Sequence, residues 1–483
     1  MKKKILSVLG TRPEAIKMAP LILEIAKHPD CFDNIVCVTA QHREMLDQVL
    51  DIFNIIPDYD LNIMQPKQTL SGVMGEILSG LDSVIAKSRP DIILVHGDTI
   101  TSFAAALSAF FHQIPVGHVE AGLRSGNKLS PFPEEMARTL TGSIADLHFA
   151  PTKLNAENLY KSGITKNVYI TGNTVIDALL SIVRDGYSFK NNDLCGIDFQ
   201  TKKTILITIH RRENLGEPMK NILTAIKRLA LKYENDIRFI YPVHKNPVVA
   251  ECAAKILGGL GNVYLIGPLD VEDMHNLINI SYFVITDSGG LQEEAPALGK
   301  PVLVCRTETE RPEAVDAGTV KIVWADEENI YNEAVSLLEN TDEYKRMSRA
   351  VNPYGDGRAS KRIVEILAAA DQAKYVYIPK ENPFLEIIAD INRDIDAKIE
   401  DAQNFGKLRD KEMHRQFSLY EAEIQKKDIV IDELRRNNAA LISTHQDTLS
   451  SKKFRLAHMI ALTAKNPLKI FLWPMWIFKL LTR

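Results

Sequence analysis

The chain is poor in cysteine, and the spacing of its cysteines excludes two classes of protein. There are five, an odd number, and none forms a Cys-x-x-Cys pair: Cys31, Cys37, Cys195, Cys252 and Cys305. A disulfide-bonded secreted scaffold and a zinc knuckle are therefore both disfavoured.

Long hydrophobic runs are lacking as well. The apolar run near the N-terminus, ILSVL, is too short for the core of a signal peptide. No stretch approaches the roughly 20 apolar residues that a membrane-spanning helix requires. We therefore expect a protein of the reducing cytoplasm.

A strong excess of charge of one sign is also absent. The chain has 58 Lys and Arg against 62 Asp and Glu, a net charge of −4, which gives no reason to expect a nucleic-acid partner. Hydrophobic residues make up 45% and charged residues 25%, as in globular proteins. A length of 483 residues exceeds one ordinary domain.

Short β-branched runs alternate with segments of helical period over the first 370 residues, which predicts an α/β protein with parallel sheets. The predicted strands fall into two series, at residues 4–9, 35–39, 91–96, 116–119 and 147–150, and then at 204–209, 237–242, 263–266, 282–286, 301–305 and 319–323. Two such series indicate two doubly wound, Rossmann-like domains. In these folds a ligand binds beyond the carboxyl ends of the strands, so we expect the site in the cleft between the domains.

We expect four parts along the chain. Residues 1–171 form the first Rossmann-like domain and 172–353 the second, with the turn-rich stretch 172–203 as the junction. Residues 354–370 form a helix that crosses back to the first domain, and 371–483 form a helical extension.

The extension carries two features of its own. Phe417, Ile424, Ile431 and Asn438 recur at intervals of seven over about three heptads, which fits a short coiled coil or, equally, a solvated helix packed on another surface. The last residues, KNPLKIFLWPMWIFKLLTR, are basic and aromatic, which is typical of an anchor at a membrane surface. The alternative to a membrane anchor is that these aromatic residues pack on the coil or on a second subunit.

Charged side chains follow the predicted strands of the first domain. The turn GTRPE (10–14) opens a helix, where backbone N–H groups favour an anion, and Arg12 and Lys17 add positive charge. Asp98 and Glu120 lie at or just after the ends of later strands, and Glu134 lies at the start of a predicted helix. Paired carboxylates with different pKa values can remove a proton and return one.

The second domain offers residues suited to an anion. His210 follows its first strand and His244 the next. The run TDSGGLQEEA (286–295) changes from strand to helix at Ser288, Gly289 and Gly290, a pattern that suits a diphosphate. Neither a G-x-G-x-x-G after the first strand nor a Walker lysine motif is present, which disfavours dinucleotide or ATP chemistry.

Seven motifs in order carry a family resemblance: GTRPEAIKMAP (10–20), HGDT (96–99), GHVEAGLR (117–124), PFPEEMAR (131–138), HRREN (210–214), TDSGGLQEEAP (286–296) and ERPEAV (310–315). Together they closely resemble the non-hydrolysing UDP-N-acetylglucosamine 2-epimerases over residues 3–370. The resemblance implies the two-domain GT-B architecture. It also implies reversible exchange of UDP-GlcNAc and UDP-ManNAc for polysaccharide biosynthesis, by elimination of UDP to 2-acetamidoglucal and its re-addition, with no cofactor and no metal.

The resemblance also implies roles for particular residues. Asp98, Glu120, Glu134 and His210 match the catalytic residues of the family, although the face of C2 that each carboxylate serves stays open. The family's nucleotide-sugar contacts are matched by Arg12, Lys17, Ser288, Gly289, Gly290, Glu294 and Arg311.

Bacterial members of the family bind a second UDP-GlcNAc as an activator, and Gln41, Arg211 and His244 match that site. Glu44 and Lys67 depart from it, standing where Gln and Arg are common. Glu44 adds negative charge near a diphosphate and Lys lacks the two-pronged donor of Arg, so activation is in question here.

The resemblance further implies a homodimer, and the extension suggests attachment to the inner membrane surface or to a partner in glycan assembly. Two other activities stay open from the sequence: a 2-epimerase of a modified UDP-sugar, such as a diacetamido-uronic acid, and a GT-B glycosyltransferase. A catalytically silent scaffold is disfavoured by the intact carboxylate set.

Overall fold

The structure is a computed structural model that describes residues 2–40, 43–65, 68–306, 309 and 311–369. By their contacts, residues 2–158 and 168–369 form one compact unit, to which Leu159–Asn167, the end of a helix and the turn after it, do not belong. The coiled coil and the basic aromatic segment expected in 371–483 lie outside the described residues, as do Gln41 and Lys67.

The strands form two parallel sheets. The first has seven strands in the order β3-β2-β1-β4-β5-β6-β7, and the second has six in the order β10-β9-β8-β11-β12-β13. Their bounds are β1 (Lys3–Leu9), β2 (Phe32–Val38), β3 (Tyr59–Asp60), β4 (Ile92–His96), β5 (Val116–Val119), β6 (Leu147–Ala150), β7 (Val168–Ile170), β8 (Lys203–Thr208), β9 (Ile237–Pro242), β10 (Val263–Ile266), β11 (Phe283–Thr286), β12 (Val302–Val304) and β13 (Val320–Ile322).

Helices connect the strands and cover both sheets. Their bounds are α1 (Arg12–Ala26), α2 (Arg43–Ile52), α3 (Leu70–Ser88), α4 (Ile100–Phe111), α5 (Glu134–Ile144), α6 (Lys153–Lys161), α7 (Thr174–Ile182), α8 (Asn192–Cys195), α9 (Glu217–Lys232), α10 (Pro247–Leu257), α11 (Val271–Ile280), α12 (Leu291–Ala297), α13 (Pro312–Asp316), α14 (Glu327–Glu339), α15 (Thr341–Ser348) and α16 (Ala359–Ala369). Within the described ranges, no helix is both long and apolar enough to cross a membrane.

The predicted fold class, two Rossmann-like domains, is confirmed. Every strand expected from the sequence is present, with ends that differ by up to three residues. Two strands were missed, β3 and β7, because runs of two and three residues at the sheet edges are too short to show a period.

The stretch 172–203 is more structured than its turn residues suggested. It contains α7, which begins where Asn173 Oδ1 accepts a hydrogen bond from the Val175 N–H at 3.1 Å. Helix α7 contacts α1, and Asp177 on α7 accepts from the N–H groups of Ala359 and Ser360 at the start of α16.

The last described helix packs on the first sheet's domain. Ile363, Val364 and Leu367 on α16 share one apolar core with Met18 and Ile22 on α1. The chain therefore returns to α1 after completing the second sheet.

The turn between β1 and α1 is held by a buried glutamate. Glu14 Oε2 accepts from the N–H groups of Thr11 at 2.7 Å and Gly10 at 3.1 Å, and Oε1 accepts from the hydroxyls of Thr99 and Ser102. The two turn amides that we expected to face a bound anion are thus occupied by Glu14, which joins this turn to the one after β4.

Gly10 packs too closely for any side chain. A Cβ atom there would lie 2.3 Å from the hydroxyl oxygens of both Thr39 and Thr101, which themselves lie 3.2 Å apart. Gly10→Ala should therefore lower the free energy of unfolding by about 1–3 kcal/mol through overpacking.

Gly75→Ala is the matched control, because Gly75 lies inside α3 with nothing within 4 Å of its added Cβ. We expect that substitution to be neutral or to stabilise by roughly 0.5–1 kcal/mol. Thermal and denaturant unfolding of the two variants measure the difference, and equal stability would contradict the packing of Gly10.

Candidate active site

Charged side chains gather at the carboxyl ends of the strands of both sheets, where the sequence placed the site. Asp98 follows β4, Glu120 follows β5, and His210 follows β8. Because these strands are parallel, their ends meet at one edge of each sheet.

Glu120 is held in a strained and buried position. Its φ is 61°, in the left-handed region that a non-glycine residue rarely adopts, and its side chain is 7% exposed. Lys17 on α1 forms an ion pair with Oε1, and His96 Nε2 lies 3.8 Å from Oε2. Burial raises the pKa of Glu120, but the positive charge and hydrogen bond of Lys17 outweigh burial and hold that pKa well below its usual range.

Asp98 has the opposite electrostatic environment. Arg138 on α5 pairs with its carboxylate, yet burial dominates and, helped by the charge of Glu120, raises the pKa of Asp98 above its ordinary value. Asp98 and Glu120 thus have pKa values moved in opposite directions.

Two neighbouring glutamates at the start of α5 differ in what they contact. Glu135 accepts from the backbone N–H groups of Ser125 at 3.0 Å and Gly126 at 3.1 Å, so it holds the preceding loop. Glu134 has a buried Oε2 that no hydrogen-bond donor of the described chain reaches. Of the two, Glu134 is the carboxylate left for a ligand.

A second carboxylate, which sequence analysis missed, lies across from Glu120. Glu293 on α12 pairs through Oε1 with Arg311, and its Oε2 accepts from Asn173 Nδ2 at 2.8 Å. The same Nδ2 donates to Glu120 Oε1 at 2.9 Å. Lys17, Glu120, Asn173, Glu293 and Arg311 therefore form one buried ladder that joins the residues after β5 to α12.

Glu293 and its neighbour Glu294 face different partners. Glu294 Oε2 lies 3.4 Å from His275 Nε2, and the hydrogen bond from His275 lowers the pKa of Glu294 although burial acts against it. Adjacent residues on a helix point about 100° apart. The side chain that the sequence singled out, Glu294, is therefore not the one that reaches Arg311.

His210 is fixed by a buried carboxylate of the second sheet. Asp287 accepts from the backbone N–H groups of His210 and Arg211 at 3.0 and 2.8 Å, and Nδ1 of His210 lies 3.6 Å from Asp287 Oδ1. The His210 ring stacks on His244 with centroids 5.5 Å apart. Burial lowers the pKa of His210, so the ring is neutral at neutral pH.

The turn at Ser288 has open backbone donors. Ser288 N–H donates to Thr286 Oγ1 at 2.9 Å, whereas the N–H groups of Gly289 and Gly290 have no acceptor in the part of the chain that the structure describes. A Cβ on Gly289 would lie 3.7 Å from Arg211 Nη2. Open amides and a guanidinium thus lie side by side.

The remaining predicted residues are placed as follows. Arg12 begins α1, five residues before Lys17, and has no ion pair within the described ranges. Arg211 and His244, which we assigned to an activator site, lie beside Gly289 and His210 respectively. Glu44 is exposed on α2. No cluster of three or more His, Cys, Asp or Glu suited to a metal occurs among the described residues.

The different contacts of Glu134 and Glu135 predict different effects on stability. Glu135→Gln removes one carboxylate oxygen that accepts from a backbone N–H, and a buried unpaired donor costs about 1–3 kcal/mol. Glu134→Gln removes no such contact, so we expect its stability to stay within roughly 0.5 kcal/mol of the wild type. Chemical denaturation checks both, and a Glu134 variant as unstable as the Glu135 variant would contradict these contacts.

Comparisons with known proteins agree on one family. Residues 24–368 match the family model described as UDP-N-acetylglucosamine 2-epimerase. A UDP-N-acetylglucosamine 2-epimerase of Bacillus subtilis is 59% identical over 369 residues, covering 76% of this chain and 96% of that protein. Residues after 368 lie outside the family match.

Solved structures show the same fold over the same portion. S. aureus MnaA, in a co-structure with UDP, is 51% identical with a TM-score of 0.67, covering 76% of this chain and 96% of that one. UDP-GlcNAc 2-epimerase from Neisseria meningitidis, bound to UDP-GlcNAc, is 49% identical with a TM-score of 0.67, covering 76% and 100%. The chain belongs to the UDP-N-acetylglucosamine 2-epimerase family, as its motifs predicted.

Proposed function

We propose that the protein interconverts UDP-N-acetylglucosamine and UDP-N-acetylmannosamine by inverting C2. The observation that carries this proposal is the pair Asp98 and Glu120, two neighbouring carboxylates with pKa values moved apart, beside a set of cations. Family membership supports the same activity.

The reaction has to break two bonds of the sugar. A carboxylate takes the C2 proton, the C2–H electron pair forms a C1=C2 double bond, and the C1–O bond breaks with its electrons passing to UDP. The product is 2-acetamidoglucal, to which UDP adds back at C1 while a proton is delivered to the other face of C2. Nothing is oxidised or reduced in either step.

The environments of Asp98 and Glu120 suggest which of them accepts the substrate proton and which returns one. Glu120 is ionised because Lys17 lies against it, so it is suited to accept a proton. Burial raises the pKa of Asp98, which makes it the better group to hold and return one. Exchange of these protonation states runs the reaction in the reverse direction. The unpartnered Oε2 of Glu134 supplies a third acceptor for a substrate proton.

Departure of UDP needs stabilisation of negative charge on the diphosphate. Arg12, Lys17 and Arg311 supply cations, and the N–H groups of Gly289 and Gly290 supply donors. Pre-placed donors of this kind are usually the largest contribution to catalysis. His210 is held by Asp287 as a neutral ring, so it serves as a hydrogen-bonding group or proton carrier. We infer from the family resemblance that Glu294 accepts hydrogen bonds from hydroxyl groups of the nucleotide or sugar.

We also propose that residues 1–171 and 172–353 close as two domains around the nucleotide sugar, with 354–370 as the returning helix. The ladder from Lys17 to Arg311 contains residues of both domains, so its ion pairs and hydrogen bonds are the contacts that would hold the closed state. The activator site, with Gln41, Glu44 and Lys67, and attachment of 371–483 to a membrane or a glycan-assembly partner stay predictions from the sequence.

Substitution of the two carboxylates tests the proposed chemistry. Asp98→Asn and Glu120→Gln should each lower kcat for UDP-GlcNAc epimerisation roughly 10²–10⁴-fold, since each loses a proton-transfer group. Both should retain UDP binding within about threefold, because the change removes no donor to the diphosphate. Chromatographic separation of the two UDP-sugars and titration calorimetry with UDP measure these quantities.

Asp51→Asn is the control for the first variant, because Asp51 is exposed on α2. Its rate should equal that of the wild type. Wild-type turnover in both active-site variants would remove the acid–base assignment. If a variant lost UDP binding as well as kcat, the substituted carboxylate would have a structural role instead.

We further propose that the protein is a homodimer that uses the faces of α4 and α5. Phe110 and Phe111 are 62% and 64% exposed at the end of α4, and Met136 and Leu140 on the neighbouring α5 are each 38% exposed. Large apolar side chains grouped on adjacent helices are typical of an interface between subunits.

The double variant Phe110→Asp, Phe111→Asp should therefore shift the protein from dimer to monomer in analytical ultracentrifugation, because the charges oppose burial. Leu231→Asp, at a 58% exposed position on α9, should leave the oligomeric state unchanged. A wild-type monomer, or a dimer that survives the Phe110 and Phe111 changes, would contradict this interface.

A further inference from the structure

Asn173 makes three contacts that use most of its side-chain amide. Nδ2 donates to Glu120 Oε1 at 2.9 Å and to Glu293 Oε2 at 2.8 Å, and Oδ1 accepts from the Val175 N–H at 3.1 Å. The residue is 3% exposed. These partners fix the orientation of the amide, because the reverse orientation would turn its oxygen toward two carboxylates.

The two carboxylates that share Asn173 come from different parts of the fold. Glu120 follows β5 of the first sheet, and Glu293 lies on α12, which follows β11 of the second. Each has its own cation on the far side, Lys17 for Glu120 and Arg311 for Glu293. Between the two carboxylates there is no cation. Asn173 supplies a neutral donor there and binds both of them.

We propose that Asn173 is a positioning residue for the epimerisation, whose amide holds Glu120 and Glu293 together so that Lys17, Glu120 and Arg311 face one substrate. This inference rests on the proposed function. Glu293 has the matching task of orienting Arg311, whose Nε it binds. Asn173 does not transfer a proton, and its effect on the reaction passes through Glu120.

The surroundings of Glu120 explain why a neutral donor is needed there. Several titratable groups act on Glu120 from the elements around it: Lys17, His96, Asp98, His118, Glu293 and Arg311. A charge added at position 173 would act on Glu120 directly, at hydrogen-bond distance. An aspartate there would raise the pKa of Glu120 by like-charge repulsion.

Asn173→Asp separates this role from the role of Asn173 as a helix cap. Asp is as good an N-cap as Asn, so α7 keeps its contact to Val175. The variant loses both N–H donors and adds a third negative charge. We expect kcat to fall roughly 10- to 100-fold, as for loss of a hydrogen bond to a charged group, with a smaller change in KM.

The pH profile gives a readout that a merely structural role would not move. Because a raised pKa keeps Glu120 protonated to higher pH, the acidic limb of kcat/KM should move to higher pH in Asn173→Asp. Asn173→Ser, which can cap the helix but adds no charge, should lower kcat without this displacement. The measurement is the rate of UDP-GlcNAc epimerisation from about pH 4 to 9, because the low pKa of Glu120 places the wild-type acidic limb at the bottom of that range or below it.

Two further variants serve as controls. Asn340→Asp makes the same change at an exposed N-cap, where Oδ1 accepts from the Asp342 N–H at 3.0 Å, and should have wild-type kinetics. In a Glu293→Gln background the Asn173→Asp change should cost at least threefold less than in the wild type. Removal of one carboxylate relieves the repulsion, so the two positions are coupled.

The outcomes separate this inference from the proposed function. An active wild type with an unchanged kcat and acidic limb in Asn173→Asp would overturn the positioning role alone. An equal loss in the presence and absence of Glu293→Gln, with no displacement of the pH profile, would show that Asn173 acts only on stability and would overturn it too. A wild type that does not epimerise UDP-GlcNAc would overturn both.

Discussion

The buried ladder of Lys17, Glu120, Asn173, Glu293 and Arg311 is the interaction on which the site depends. An ion pair lies at each end, Lys17 with Glu120 and Arg311 with Glu293, and the neutral amide of Asn173 joins the two carboxylates at the centre. Buried charges are stable only when they are paired and hydrogen-bonded, so no member can be changed without leaving another unpaired. The left-handed backbone of Glu120 is one cost of this arrangement. The ladder also joins the loop after β5 of the first sheet to α12 of the second sheet's domain.

The parallel sheets explain why these residues meet. The site residues follow strands or lie in the first two turns of the next helix, and parallel strands bring these positions to one edge of each sheet. Buried carboxylates fix the turns at this edge. Glu14 joins two turns of the first sheet, and Asp287 binds the backbone of the turn that carries His210. The carboxylates thus occupy distinct electrostatic environments, which move the pKa values of Asp98 and Glu120 in opposite directions.

The sequence predicted all the strands except β3 and β7, the two Rossmann-like domains and the edge where Asp98, Glu120 and His210 lie, because the strand period is a local property. It did not predict the partners of these groups. Glu293 and Glu294 are adjacent and chemically alike, and only the rotation of α12 decides which one meets Arg311. Asn173 lies in the turn-rich stretch 172–203 and caps α7 through a local contact, whereas its contacts to Glu120 and Glu293 span 53 and 120 residues and leave no local pattern. The sequence favoured an anion at the amides of Gly10 and Thr11. It could not show that Glu14 accepts their hydrogen bonds, because that contact depends on the conformation of the Glu14 side chain.

Proton NMR of the purified protein with UDP-GlcNAc in deuterated water, with no added cofactor, tests the central claim most directly. The account predicts that UDP-ManNAc signals appear and that the C2 proton signal is lost, because the proton removed at one face is replaced by solvent deuterium at the other. Release of free ManNAc and UDP in place of UDP-ManNAc, or retention of the C2 proton during epimerisation, would contradict it.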